Sequence, residues 1–235
     1  IKYIRNCRKN PKKYWRSWRM RFKVAVIGAG GIGSNLLRIL APTLSQSILA
    51  DKLGGIELTI FDSDIVEQNN LYHQGYTVSD IGKYKVDALV ESLRLFESSI
   101  ICFTPINYDV SESTNLDRFN LVIVCVDSPL ARVITHSRCS IWLDLRCRGD
   151  NFIALDYNAA DDVIKSLTNL KQKAGSCQFE DAIETGNIQF GNSAAAVFGS
   201  QWITQHFRIV LGEKNALHPK IRSESITFGT LNRYL

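Results

Sequence analysis

The pattern of apolar and polar positions predicts short buried strands that alternate with helices. Residues 23–28 (KVAVIG) form a β-branched run that ends in glycine, which is typical of a buried parallel strand. Residues 121–127 (LVIVCVD) form the clearest strand and end in an acid. The predicted strands are 23–28, 56–62, 100–106, 121–127, 141–147, 152–157 and 225–228. The predicted helices, with apolar residues at helical spacing, are 34–50 (interrupted by Pro42), 82–97 and 187–211.

This alternation predicts a doubly wound α/β fold with a mainly parallel, Rossmann-like sheet. The later strands, from Ile141 onward, follow one another without intervening helices, so we expect late antiparallel strands. No internal repeat or low-complexity linker interrupts the chain. We therefore expect one domain, residues 23–235, preceded by a basic N-terminal arm, residues 1–22.

The formal net charge of +5 is distributed unevenly along the chain. Residues 1–23 carry ten basic side chains and no acidic one, whereas the remainder carries 18 basic and 23 acidic side chains. The basic segment also contains aromatic residues, so it either contacts nucleic acid or packs as an amphipathic helix on the body or on a second protomer. We favour packing, because a helical register aligns the aromatic residues and leaves the charges solvated.

The sequence gives no sign of membrane insertion or secretion. It contains no run of eighteen or more apolar residues, and its basic N-terminus lacks the apolar core of a secretory signal. None of the six cysteines forms a CxxC pair, and Cys102 and Cys125 lie in apolar runs. We expect a cytoplasmic protein with reduced thiols, without membrane contact and without zinc held by CxxC knuckles.

Residues 28–33 (GAGGIG) match a phosphate-binding loop between a strand and a helix. Glycines let the backbone approach a phosphate, and the helix N-terminus supplies free N–H groups. The loop alone does not separate ATP enzymes from NAD or FAD enzymes. Asp62 and Asp64 end the second strand, where an acid binds ribose hydroxyls in either class. The candidate loop glycines are Gly28, Gly30, Gly31 and Gly33.

Further segments resemble, in order, motifs of the ThiF, MoeB and ubiquitin-activating enzymes. Residues 61–74 (FDSDIVEQNNLYHQ) resemble the signature DxDxVExxNLxRQ, and residues 81–86 (IGKYKV) resemble the VGxxKV segment. Asp127, with Arg132 five residues later, resembles a strand-end aspartate and the arginine that follows it. With the glycine loop, these make four blocks in the family's order.

The resemblance implies an enzyme that activates a carboxylate with ATP, giving an acyl adenylate and pyrophosphate. Asp62 would hold the ribose hydroxyls, and Asp64 would support that turn or the adenosine side. Asn70 and Gln74 would hydrogen-bond phosphate oxygens. As purely structural alternatives, Asp62 would only form the strand-end turn and Asn70 would only cap a local turn.

The implied cofactors are ATP and Mg²⁺, and the implied catalytic residues are Lys85, Asp127 and Cys177. Lys85 would supply a cation to the phosphates; a helix start disfavours lysine, which favours this functional role. Asp127 would hold Mg²⁺, whose charge offsets the repulsion between ATP and the reacting carboxylate. Its structural alternative is to cap a helix that begins at Pro129.

Cys177 lies in a weaker match to the family, at a place where many relatives carry an acyl-accepting thiol. Its flanks, Gly175 and Ser176, predict an exposed loop, as a reactive thiol requires, but an unreactive thiol is equally compatible with the sequence. Arg146 and Arg148 either meet an acidic substrate tail or lie solvated on their strand, and we favour the solvated position.

The chain departs from the family at His73, where the signature has arginine. Histidine is mostly neutral at pH 7, so His73 does a weaker version of the same task or another basic residue replaces it. The family also uses an arginine from the partner's N-terminal segment, for which Arg5 and Arg8 are candidates. Loss of both arginines would leave a degenerate protein that binds ATP without catalysis.

We expect an ATP-dependent adenylyltransferase, because an NAD(P)-dependent oxidoreductase would leave Asn70, Lys85 and Asp127 without roles. A non-catalytic module that binds a nucleotide or a partner is the third possibility. In the family, the substrate is the C-terminal carboxylate of a small ubiquitin-like or sulfur-carrier protein, or of a peptide. We also expect a homodimer that buries apolar residues of the segment 188–210.

Overall fold

Eight strands and six α-helices form the part of the chain that the computed structural model describes: residues 21–168, 170, 177–179 and 181–232. The strands are β1 (Phe22–Ile27), β2 (Ile56–Phe61), β3 (Ile101–Ile106), β4 (Leu121–Val124), β5 (Trp142–Arg148), β6 (Asn151–Asp156), β7 (Arg222–Ser225) and β8 (Gly229–Asn232). The helices are α1 (Gly31–Ser45), α2 (Ile48–Lys52), α3 (Lys85–Leu93), α4 (Pro129–Arg138), α5 (Asp161–Leu167) and α6 (Gly191–Val210).

All eight strands belong to one sheet with the order β3-β2-β1-β4-β5-β6-β7-β8. The first five strands pair in parallel, whereas β5 to β8 pair antiparallel. The β5–β6 hairpin turns at Gly149, whose φ of 60° lies in the left-handed region that favours glycine. The predicted fold class, a doubly wound parallel sheet with late antiparallel strands, is confirmed.

Helices cover both faces of the sheet, as a doubly wound fold requires. Leu36 of α1, Leu89 of α3 and Trp202 of α6 are fully buried on one face. Ala131 and Ile134 of α4 pack into the smaller core on the other face. Each such large apolar side chain contributes about 1.5–3 kcal/mol by leaving water, so these layers fix the positions of the strand ends. Among the helices within the described residues, none has the length and hydrophobicity that crossing a bilayer requires.

The chain changes direction across the sheet at β1. From β1 it moves to β2 and β3 on one side, and it returns to β4 on the other side. A crevice therefore opens at the carboxyl ends of β1 and β4, which is where open α/β sheets bind ligands. Gly28, Asp62 and Cys125 directly follow β1, β2 and β4, so the residues after these strands line that edge.

Several predicted elements have different boundaries; for example, the predicted strand 121–127 ends at Val124 and the predicted helix 82–97 begins at Lys85. The predicted helix 34–50 is two helices, and Pro42 lies inside the last turns of the first one. The predicted strand 225–228 is wrong, because residues 226–228 form the turn between β7 and β8. Ser225 Oγ accepts hydrogen bonds from the Thr227 and Phe228 amides, which closes this turn. Residues 1–20 of the predicted arm, with Arg5 and Arg8, lie outside the described residues.

Candidate functional site

The glycine loop packs so closely that side chains would not fit at two of its positions. Gly28 has a φ of 106°, and a Cβ there would lie 2.7 Å from Val126 Cγ1. A Cβ on Gly33 would lie 1.9 Å from the Gly28 carbonyl oxygen. No side chain caps α1 at Gly30. The N–H groups of the first turn are therefore available to an anion, as the phosphate-binding prediction requires.

Asp62 joins the glycine loop to the turn after β2. Its Oδ2 accepts a hydrogen bond from the Ala29 amide at 2.7 Å, and its Oδ1 accepts one from the Asp64 amide at 2.9 Å. Burial raises the pKa of Asp62, and the two backbone hydrogen bonds act against that effect. Asp62 therefore forms the strand-end turn; its oxygens retain lone pairs for ribose hydroxyls, a role that stays a prediction.

Lys85 is a buried cation at the start of α3. Its Nζ lies 2.8 Å from Asp64 Oδ2, and the Lys85 side chain is 8% exposed against 65% for Asp64. Tyr76, which the sequence analysis missed, donates from its hydroxyl to the Ala29 carbonyl at 2.5 Å and lies 3.3 Å from the Lys85 carbonyl. Tyr76 thus ties the helix that carries Lys85 to the glycine loop.

The segment 70–74 carries three predicted phosphate ligands and joins the start of α1 through Gln74, whose carbonyl accepts from Ser34 Oγ at 2.5 Å. Asn70 Oδ1 accepts a hydrogen bond from the Glu67 amide at 2.9 Å, so its capping role is present. His73 and Gln74 contact each other through Nε2 atoms 3.3 Å apart. Gln74 Oε1 and His73 Nδ1 are buried without a hydrogen-bond partner among the described residues. Gln74 Oε1 also lies 3.9 Å from the place of a Cβ on Gly30, so this oxygen is available to a ligand at the loop.

His73 is a weak substitute for the arginine of the family signature. Burial lowers its pKa, and the positive charge of Lys85 lowers it further. The imidazole is therefore neutral at pH 7 and offers phosphate a hydrogen bond rather than a full charge.

A cleft of about 150 Å³ lies at the carboxyl edge of β1, β2 and β4. Four carboxylates line it: Asp62, Asp64, Asp109 and Asp127. Asp109, which accepts a hydrogen bond from the Ser63 amide at 3.3 Å, was not predicted because no motif marks the loop after β3. The structural alternative for Asp127, a helix cap, is wrong, because Ser128 is the N-cap of α4 and its Oγ accepts from the Ala131 amide.

The exposed carboxylate of Asp127 fits the chemistry of a Mg²⁺ ligand. No group of three or more His, Cys, Asp or Glu side chains within the described residues forms a metal cage. Mg²⁺ usually binds through one or two carboxylates together with water and substrate phosphates, so a cage is not required. The cleft beside the glycine loop provides such carboxylates.

Cys177 lies beside the end of β5 and is half-buried, whereas the sequence predicted a thiol on an exposed loop. Its carbonyl accepts a hydrogen bond from the Gly149 amide at 2.8 Å. The Cys147 thiol donates to the Cys177 sulfur and thereby lowers the pKa of Cys177; Arg132 and Lys85 act in the same direction. The flanking residues Gly175 and Ser176 lie outside the described part of the chain.

The predicted solvated position of Arg146 is wrong. Arg146 is buried, and its Nε and Nη2 donate to Asp144 Oδ2 at 3.1 and 2.6 Å. Arg146 also donates to the Leu167 carbonyl and to Thr168 Oγ1. Arg148 is exposed, and its guanidinium lies 5.8 Å from the ring centre of Phe179.

Comparison with known proteins gives the same family at the level of sequence. The model of the ThiF family matches residues 17–229. The chain is 30% identical over 132 residues to ubiquitin-like modifier-activating enzyme 5 of Drosophila grimshawi, covering 50% of this chain and 30% of that protein. It is 30% identical over 115 residues to adenylyltransferase and sulfurtransferase UBA4 of Eremothecium gossypii, covering 48% of this chain and 24% of that protein. Each match spans less than a third of the relative's length.

Solved structures share the fold. The crystal structure of E. coli MccB with ATP has a TM-score of 0.62 and 19% identity, covering 90% of this chain and 63% of that chain. MccB bound to MccA-N7isoASN has a TM-score of 0.63, 18% identity and coverages of 90% and 64%. PaaA has a TM-score of 0.59, 19% identity and coverages of 88% and 62%.

Proposed function

Because the chain belongs to the ThiF family, we propose that it is an ATP-dependent adenylyltransferase that activates a carboxylate. The carboxylate oxygen attacks the α-phosphorus of ATP, a new O–P bond forms, and pyrophosphate leaves with the electrons of the broken P–O bond. The observation that carries the proposal is the crevice between β1 and β4. Its lining includes the exposed Asp127, together with Asp62, which accepts from the Ala29 amide of the glycine loop, and Asp64, which pairs with the buried Lys85.

Each of these groups has a role in the transfer. The amides at the start of α1 hold phosphate oxygens, and Gln74 Oε1 and His73 Nδ1 orient groups beside them. Lys85 supplies positive charge to the phosphates, at a position that Asp64 and Tyr76 fix. Asp127 would hold Mg²⁺, whose charge would offset the repulsion between the two reacting anions. Asp62 accepts hydrogen bonds from the ribose.

The substrate that we propose is the C-terminal carboxylate of a small ubiquitin-like or sulfur-carrier protein, or of a peptide. The name of the Drosophila grimshawi relative specifies ubiquitin-like modifiers, and the name of the Eremothecium gossypii relative, UBA4, specifies sulfur transfer. MccB, which shares the fold, has been crystallised with MccA. After adenylation, the Cys177 thiolate would attack the acyl carbon and form a thioester, with AMP as the leaving group; the lowered pKa of Cys177 favours the thiolate.

Two measurements test the function. ATP with Mg²⁺ should raise the melting temperature, since a ligand that binds the native state stabilises it, and NAD⁺ should not. Stronger stabilisation by NAD⁺ would overturn the proposal. With the cognate carboxylate, Asp127→Ala should abolish ATP–pyrophosphate exchange without unfolding the protein. Cys177→Ala should leave exchange unchanged, because the thiol acts after adenylation; loss of exchange in that variant would contradict this order.

We further propose a homodimer. Trp202, Ile203 and Phe207 of α6 cover the sheet of their own chain, so they do not form the interface. Phe190 and Val197 are 59% and 60% exposed, and they lie on the segment that contacts the β5–β6 turn. The β7–β8 turn contacts the same β5–β6 turn and exposes two more large apolar side chains, Ile226 and Phe228.

This surface predicts a matched pair of variants. Val197→Lys should convert a dimer to a monomer in light scattering at micromolar concentration, because a charge at an apolar interface is desolvated without a partner. Leu95→Lys changes an apolar side chain that is 91% exposed outside this surface and should leave the dimer intact. A monomeric wild-type chain would contradict the proposal.

A further inference from the structure

A cluster of buried charges lies behind the turn that carries Asp127. Asp144 of β5 is fully buried, and the pKa of its carboxyl is lowered to about 2, so it is ionised. Arg146 donates to its Oδ2, and His136 Nε2 lies 3.2 Å from the same oxygen. Asp144 Oδ1 faces Arg132 Nε at 3.7 Å.

Arg132 links this cluster to the turn after β4. Its Nη2 donates to the Val126 carbonyl at 2.7 Å, directly before Asp127. The Arg132 side chain is 11% exposed, and guanidinium remains charged when buried. Burial lowers the pKa of Arg132, the charges of Asp144 and Asp127 raise it, and that of Arg146 lowers it. Of the two aspartates, it is Asp144 that lies within 4 Å of the guanidinium.

The two carboxylates do not compete equally for Arg132. Charges interact more strongly where water is excluded, and Asp144 is fully buried whereas Asp127 is exposed in the cleft. If Asp144 lost its charge, Asp127 would be the remaining carboxylate acting on Arg132 among the described residues. An Arg132–Asp127 pair would place a fixed positive charge on the carboxylate that has to bind a divalent cation.

We propose that Asp144 is a positioning residue that holds Arg132 away from Asp127 and thereby keeps Asp127 available to Mg²⁺. This inference rests on the proposed function, because that function assigns Mg²⁺ to Asp127. Asp144 touches neither nucleotide nor metal, and it acts through Arg132.

The decisive variant is Asp144→Asn, which keeps the shape of the side chain and removes its charge. Mn²⁺ binding is measured from the electron paramagnetic resonance signal of free Mn²⁺, with a saturating ATP analogue that cannot be cleaved between the α- and β-phosphates. We expect Asp144→Asn to bind Mn²⁺ about tenfold more weakly, as changes behind metal ligands typically do. The double variant Asp144→Asn/Arg132→Gln should regain wild-type affinity, because the competing cation is gone.

Asp156→Asn is the matched control. Asp156 is also a buried aspartate, at the end of β6, where its Oδ2 accepts from Trp202 Nε1 at 2.8 Å. It should lose stability without losing Mn²⁺ affinity. Wild-type affinity in folded Asp144→Asn, or weak binding that Arg132→Gln does not restore, would overturn the inference.

Two further outcomes are also decisive. If Asp144→Asn does not fold, Arg132→Gln alone tests the same competition: its Mn²⁺ affinity should equal that of the wild type. A fall would show that Arg132 assists the metal rather than competing with it, which overturns the inference. If the wild-type chain with the analogue binds no Mn²⁺, the proposed function fails as well, so the two failures are distinguishable.

Discussion

The thiol of Cys177 depends on a neighbouring cysteine for its ionisation. Because the Cys147 thiol stabilises the thiolate by donating to it, Cys147→Ala should raise the pKa of Cys177. Iodoacetamide should then alkylate Cys177 more slowly at pH 7, and the pH profile of that rate, followed by peptide mass spectrometry, should shift upward. Cys139→Ala, in another part of the fold, is the control. An unchanged profile in Cys147→Ala would contradict the hydrogen-bond explanation.

Single residues were predictable from sequence where a local motif marked them. Asp62 and Lys85 lie beside the glycine loop, as their positions after a strand and before a helix suggested. Tyr76 was missed because its partner, the Ala29 carbonyl, is 47 residues away in sequence. Arg146 was misplaced for a related reason: alternation along a strand does not show that its face is covered by α5, where the Leu167 carbonyl accepts from Arg146.

At the scale of elements, the glycine loop and α1 predict contrasting effects of alanine. Gly33→Ala should destabilise the protein by about 1–3 kcal/mol or more, because its Cβ would overlap the Gly28 carbonyl oxygen and neither backbone can yield cheaply. Gly30→Ala should cost less than about 1 kcal/mol, the effect of alanine at an N-cap, since its nearest contact is 3.9 Å away. Urea midpoints measure both. Equal midpoints would show that the loop adapts to a side chain at Gly33.

Apolar runs predicted the parallel strands correctly, because buried strands have no polar face. The same pattern failed at residues 225–228, where Ile226 and Phe228 alternate like strand residues but are exposed in a turn. Backbone hydrogen bonds accepted by the Ser225 side chain and the positive φ of Gly229 determine that turn, and neither appears in an apolar pattern. Helix α5 was missed because it is short and none of its residues is fully buried.

For the whole molecule, the antiparallel half carries a stack that ties α6 to the segment before β7. The rings of Trp202 and His218 stack with centres 4.1 Å apart, and Trp202 also stacks on His206. His206 Nδ1 and His218 Nε2 lie 3.2 Å apart, so the two rings can share one proton between these nitrogens. A proton on each of the two nitrogens would cause repulsion. Asp156 of β6 accepts a hydrogen bond from Trp202 Nε1. Burial lowers the pKa of His218, and the charge of Asp156 acts against that effect. Protonation of both histidines would therefore destabilise the packing of α6 against β6 and the segment before β7.

This stack predicts that the molecule loses stability between pH 6.5 and about 4. Burial, followed by the charge of His218, lowers the pKa of His206 to about 4, whereas an unfolded histidine has a pKa near 6.5. The unfolded state thus binds protons first, so the contribution is complete above pH 6.5 and is lost as the pH falls toward 4. Urea unfolding at pH 7.5 and 5 should show a loss on the order of 2 kcal/mol. The pKa of Asp62 is raised, so its contribution to stability increases as the pH falls, opposite to that of His206. His206→Gln removes the histidine and leaves Asp62 unchanged, so the variant should lose less stability than the wild type between pH 7.5 and 5. An equal loss in both proteins would assign the pH dependence to another group.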